Sequence, residues 1–241
     1  SKGVQQETKA GKGDLDDAIL ALVKFGVVSA RGHPDLVPHA VSQGNLVLLE
    51  ALLSRVKDIP EEDLVSVLKL VLTHCKKQSM DKFITIWAAA APEVPVLDHD
   101  AVRRHLLDLI MLVPKDHFLL VQHLRNLSLK EAERLLKYCQ SLLKMHGVAA
   151  DTKLPKPKGF RSPSLSCVVD WSNALLDAHF SALVLSPECH PLLKELKVLA
   201  KAETSLARET VNMDGLLQQI IQKKALPIRP KKTYVIDTIV L

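Results

Sequence analysis

Eleven residues, Asp170 to Phe180, read "DWSNALLDAHF" and bring together two carboxylates, an amide, a histidine and two large aromatics. These are the residue types of a general acid–base pair or of a metal site. Helical geometry decides between those readings, because successive residues on a helix turn by about 100°. Asp170, Asn173 and Asp177 then share one side, within about 60° of each other, whereas His179 points roughly opposite Asp170. The stretch therefore holds no Asp–His dyad of its own. Trp171 and Leu175 form one apolar stripe, and Leu176 and Phe180 form another, so the helix is apolar over most of its circumference. Such a helix is expected to be buried between neighbours, with Asp170, Asn173 and Asp177 bonded to another helix or at a wet edge. Trp171, Leu175, Leu176 and Phe180 are expected to matter most for packing.

The remaining candidates for chemistry are no better placed. His99 and His105, and likewise His117 and His123, are six residues apart, which puts each pair about 120° apart on a helix and not on one ligand face. The chain has no H-E-x-x-H, and Cys189 and His190 are adjacent instead of spaced for zinc. It has no G-x-S-x-G and no glycine-rich phosphate loop. No catalytic residue, metal ligand or cofactor is assigned, and the sequence points away from an enzyme. Cys75, Cys139, Cys167 and Cys189 lie far apart in helix-like contexts, which suits reduced thiols.

The elements that would position these residues are helical. Leu, Val and Ala dominate the apolar residues, aromatics are 4%, and Gly and Pro act as punctuation, a composition of helices packed on helices. Every apolar run is interrupted before the roughly 18 to 20 residues that a membrane span needs. Helices are expected from Asp14 to Lys24, ended by Gly26; over "HPDLVPHAVSQGN", with Pro34 in its first turn and Gly44 as its cap; and over Leu46–Val56, Glu61–Cys75, Ser79–Ala90, Asp98–Leu112 and Lys115–Leu124. Ser128 and Glu131 make a capping box for a helix to about His146, ended by Gly147. A further helix runs from Ser164 to about Leu185, and another from Pro187 to about Lys224 with a kink near Gly215. The expected fold is all-α, an irregular solenoid-like stack of helical hairpins with a short C-terminal extended strand.

The boundaries follow from composition. Residues 1–13 are a polar lead-in, which reads as a continuation from a longer protein; 14–150 form a helical-hairpin domain; 151–163 form a basic, proline-containing linker; 164–225 form a long helical pair; and 226–241 hold a basic connector and the strand. The segments Asp151–Pro163 and Gln222–Lys232 carry net charges of +3 and +5 against +5 for the whole chain, so the folded body is not basic. A partner that reads positive charge, such as RNA phosphate, is expected to meet Lys153, Lys156, Lys158 and Arg161 or Lys223, Lys224, Arg229, Lys231 and Lys232. The β-branched end "TYVIDTIVL" could add to the open edge of a partner's sheet through Tyr234, Val235, Ile236, Ile239, Val240 and Leu241.

Several of these stretches share a family likeness. "VVDWSNALLDAHFSALVLSPE", the terminal "TYVIDTIVL", "VSARGHPDLVPHAVSQGNLVLLEALL" and "DIPEEDLVSVLK" together resemble the C-terminal helical region of the nucleolar protein 11 family, from about Val27 onward. The resemblance implies a nucleolar, non-enzymatic assembly module of the t-UTP (UtpA) subcomplex of the small-subunit processome. It also implies a role in ribosomal DNA transcription and early processing of the 18S ribosomal RNA precursor. The partners it implies are other subunits of that complex, among them β-propeller proteins. It implies no membrane, no small-molecule substrate and no cofactor. The competing reading is an unrelated helical-repeat adaptor or RNA-binding scaffold.

Overall fold

Acids at the start of "LDDAILALVK" and a lysine at its end complement the helix dipole, and residues 15–24 form the first helix, α1. Gly26 follows at φ 72°, a left-handed conformation that a side chain would strain. The computed structural model describes residues 15–75, 77–90, 98–149 and 161–221, and all regular structure among them is helical. Pro34 lies in the turn ahead of α2 (Leu36–Gln43), while Pro38 occupies the first turn of that helix, where no main-chain N–H is required. Gly44 closes α2 in the left-handed conformation at φ 61°. Asn45 caps α3 (Leu46–Arg55) by accepting from the Leu48 N–H at 3.2 Å, and its amide donates to Asp16 at 2.9 Å. The cap thus also ties α1 to the body.

Helix α4 (Glu61–Lys69) opens with three acids and continues into a π-helical turn, Leu70–His74. The expected single helix from Glu61 to Cys75 is therefore widened over its last turn. After it come α5 (Lys77–Ala90), α6 (His99–Leu112) and α7 (His117–Leu124). Asp98 caps α6, and Asp116 caps α7 while its own N–H donates to Glu61 at 2.7 Å. That bond joins the start of α7 to the start of α4. α8 (Leu129–Ala149) runs through Gly147, where the sequence suggested a stop. Its capping box forms as expected: the Ser128 N–H and hydroxyl donate to Glu131 at 2.7 and 2.8 Å. Burial opposes ionisation of Glu131, and the two bonds from Ser128, with the Lys69 charge and the Thr73 hydroxyl, together offset it and hold the carboxyl below its ordinary range. Ser128→Ala is expected to lower stability by about 1 kcal/mol, or roughly 2–4 °C in thermal unfolding.

Helix α9 (Leu165–Leu185) packs on α8 and α7 and reaches α6. α4 packs on α2 and α7, and α3 on α2, α5 and α6. Leu48, Leu52, Leu64, Leu68, Leu106, Ile110, Leu120, Leu124, Leu136 and Trp171 form the core where these helices meet. At about 1.5–3 kcal/mol for each large apolar side chain buried, such a core dominates the favourable side of folding. α10 (His190–Ile221) follows a short 3₁₀ turn, Pro187–Cys189, and continues as one helix through Gly215. The chain divides into two units, Ser1–Lys194 and Glu195–Leu241. The division reflects packing: α9 lies beyond the 151–163 segment, yet it is the main partner of α8 within the first unit. Thr233–Leu241, read from sequence as a strand, lie outside the described residues.

Candidate interaction surface

Ser164 starts α9 by accepting the Cys167 N–H at 3.3 Å, and apolar residues then recur every three or four positions. Val168, Trp171, Leu175, His179 and Leu183 make up the covered face. Their polar atoms do specific work. The last four carbonyls of a helix have no partner within it. Met111, near the end of α6, presents one of them, and it accepts from both the Trp171 Nε1–H at 3.2 Å and the Cys167 thiol at 2.9 Å. Leu124, the last residue of α7, presents another, which accepts from His179 Nε2 at 2.9 Å. A carbonyl can only accept, so Nε2 carries the proton there. α9 therefore caps the C-terminal ends of two other helices while packing against them. The Lys115 ammonium lies 5.1 Å from the centre of the Trp171 ring, a cation–π contact on the same seam.

The open face of α9 departs from the sequence expectation at Phe180. Asp170 and Asn173 face solvent, and Asp177 meets His117 of α7 at 3.2 Å in an exposed pair. An exposed pair of this kind is worth about 0–1 kcal/mol. Leu176 is half-buried. Phe180, expected in the core, is 63% exposed, because α8, α7 and α6 cover one side of α9 and leave the other bare. Val169, Val184 and Leu185 also stand open on α9, and Phe118 (70% exposed) and Leu119 on α7. Phe118 is next to His117, and Phe180 is one helical turn beyond Asp177, so the exposed pair marks where the two bare apolar stretches approach each other. Sequence reasoning missed Phe118, Val184 and Leu185. Their signal was an apolar circumference too wide for the neighbours available to cover it.

The other expected sites resolve as follows. Lys153, Lys156, Lys158, Lys223, Lys224, Arg229, Lys231 and Lys232 lie outside the described residues, as do Tyr234, Val235, Ile236, Ile239, Val240 and Leu241. Arg161 is exposed and lines a cleft of about 590 Å³ with Arg55 and Lys57. Glu50 and His105 stand 4.0 Å apart in its wall. His99 meets Asp81 at 2.7 Å. Among the described residues no three His, Cys, Asp or Glu come together as a metal-binding group. Burial pushes the Cys139 thiol up to about 12 and raises Cys75 and Cys167 as well, which disfavours the nucleophilic thiolate at all three.

The chain matches the model of the nucleolar protein 11 C-terminal domain over residues 12–241. It belongs to the nucleolar protein 11 family. Similar proteins include nucleolar protein 11 of Gallus gallus, 27% identical over 84% of this chain and 33% of the relative. A nucleolar protein 11-like protein of Danio rerio is 30% identical over 44% of the chain and 14% of the relative. Nucleolar protein 11 of Pongo abelii is 23% identical over 86% and 35%. The chain thus spans about a third, or less, of the length of these relatives. Family membership makes it a nucleolar protein, and it gives the capping helix α9 and its bare apolar face a setting: the C-terminal domain of nucleolar protein 11.

Proposed function

We propose that this domain is a non-catalytic protein–protein assembly module of a nucleolar ribosome-biogenesis complex, the t-UTP (UtpA) part of the small-subunit processome. Through it the protein supports ribosomal DNA transcription and early 18S precursor processing. The observation that carries the reading is the family match over residues 12–241. The open apolar face of α7 and α9 supports it, since contiguous apolar surface beside polar residues suits a protein partner. In this reading the body is an irregular stack of helical hairpins, Tyr234–Leu241 add as a strand to a propeller subunit, and the basic connectors, with Arg161, touch precursor RNA.

The test is capture of t-UTP subunits by the tagged chain from nucleolar extract, with and without ribonuclease. Phe118→Asp with Phe180→Asp, both at exposed positions, should leave melting within about 1 °C of wild type. Capture should fall severalfold, and deletion of Thr233–Leu241 should reduce it further. Full capture by both variants would sink the surface assignment; failure of the unmodified chain to capture any t-UTP subunit would sink the assembly role. Capture that survives ribonuclease unchanged would remove RNA contact from the reading.

A further inference from the structure

Residues 15–150 contain sixteen Lys and Arg and sixteen Asp and Glu, so a surface there has no reason from composition to be basic. Nevertheless the π-helical turn after α4, α6 and α8 enclose a cleft of about 720 Å³ in which Arg103, Arg104, Arg134 and Lys137 face a single lining acid, Asp100. Four of those sixteen cations therefore line one cleft on the folded body, apart from the basic connectors.

Two of the cations are oriented by main chain instead of being neutralised by acids. Arg134 donates through Nη1 to the Leu72 carbonyl of the π-turn at 3.2 Å, and Arg104 donates through Nε to the Asp100 carbonyl at 3.3 Å. Among the described residues neither has a carboxylate within ion-pair distance. Arg103 meets Asp100 at 3.5 Å, and Lys137 meets Glu133 at 2.7 Å. The floor is apolar: Leu72 and Leu107 are both buried beneath the cations. Tyr138 anchors the α6–α8 side, its hydroxyl donating to Asp108 at 2.6 Å, and burial followed by the Asp108 charge raises its pKa and keeps the phenol protonated.

We infer that this cleft binds a short acidic segment of a partner protein, in which carboxylates meet Arg104 and Arg134 and an apolar side chain reaches the floor formed by Leu72 and Leu107. Guanidinium forks held in place by main-chain bonds suit planar carboxylates, because little side-chain freedom remains to be lost on binding. The main-chain oxygen that positions Arg134 belongs to a π-turn, a rare geometry that recurs at functional sites. A nucleic-acid strand fits less well. Tyr138, the aromatic residue of the cleft, is pinned by its hydroxyl into the helix seam and offers no free stacking platform, and Asp100 and Glu133 would repel a continuous polyanion.

The test measures fluorescence anisotropy with the whole chain and three labelled probes: a Glu/Leu peptide, the same peptide with Gln for Glu, and a single-stranded oligouridylate of matched length. The Glu/Leu peptide is expected to bind in preference to the other two. Arg104→Glu with Arg134→Glu should weaken that binding by about tenfold or more, whereas Arg125→Glu with Lys82→Glu should leave it unchanged. Equal binding of the Gln peptide, tighter binding of the oligouridylate, or equal loss in the control pair would overturn the assignment. Hydrogen exchange on the unmodified chain avoids any dependence on how the variants fold. Added peptide should protect residues 100–107 and 134–138, and protection confined to other helices would refute the site. The cleft is separate from the α7–α9 face, so either can fail without the other.

Discussion

Trp171→Ala is expected to destabilise the first unit by about 3–5 kcal/mol, lowering its melting temperature by roughly 10 °C. Trp171 is fully buried, and truncation removes its packing on the seam, its bond to the Met111 carbonyl and its contact with Lys115 together. The Met111 carbonyl would keep the Cys167 thiol as a donor, so the loss should come mainly from the cavity. Trp171→Phe separates the contributions: it keeps most of the apolar volume and removes the indole N–H, and about 1–2 kcal/mol is expected. Phe180→Ala, at an aromatic of the same helix, should cost less than about 1 kcal/mol because that ring is mostly solvated. Urea unfolding of the three variants checks the order. Equal losses at Trp171 and Phe180 would contradict the packing described for α9.

Acid should destabilise the protein through His105. Its side chain is 2% exposed, lies edge-on to Trp87 at 5.1 Å between ring centres, and has its pKa lowered by burial to about 4. The unfolded chain takes up that proton near pH 6.5, the folded chain only near 4. Between those values the unfolded state holds more protons, so stability is complete above about pH 6.5 and declines as pH falls. The full loss is about 3 kcal/mol at 1.36 kcal/mol per pH unit. Glu50, 4.0 Å away, acts in the opposite sense: burial raises its pKa, the folded state protonates first, and part of the loss is recovered as pH falls from that raised value to the ordinary carboxyl value, below which nothing more is gained. With His105 neutral at pH 7 the two groups form no ion pair there. Unfolding in urea between pH 7.5 and pH 4.5 should show a steeper decline for the wild type than for His105→Leu. Parallel curves would remove His105 from the account.

The helices were legible in the sequence because local rules settle them. Asn45, Asp98, Ser128 and Ser164 each cap a helix within their own few residues, and Gly26 and Gly44 take left-handed conformations that no other neighbour has to impose. Gly147 misled for the same reason: a glycine permits a helix to end and does not oblige it to. The helical wheel of Asp170–Phe180 correctly parted His179 from Asp170. It could not say which apolar stripe would be covered, and that depends on α6, α7 and α8, distant in sequence. The basic cleft was hidden for the same reason. Arg103 and Arg104 belong to α6 and Arg134 and Lys137 to α8, and a charge count along the chain averages them with the acids between.

The bonds that α9 makes at the ends of α6 and α7 also set an order of events during synthesis. Met111 leaves the ribosome 60 residues before Trp171, and Leu124 55 residues before His179; until then the Met111 carbonyl lacks its Trp171 and Cys167 donors, and the Leu124 carbonyl keeps the Leu127 N–H but lacks His179. The first 150 residues thus emerge as a body whose helices are drafted but not closed. Translation of residues 165–185 is the step that seals them, so a chain interrupted before that point should be held by chaperones or degraded, not released as a smaller folded domain.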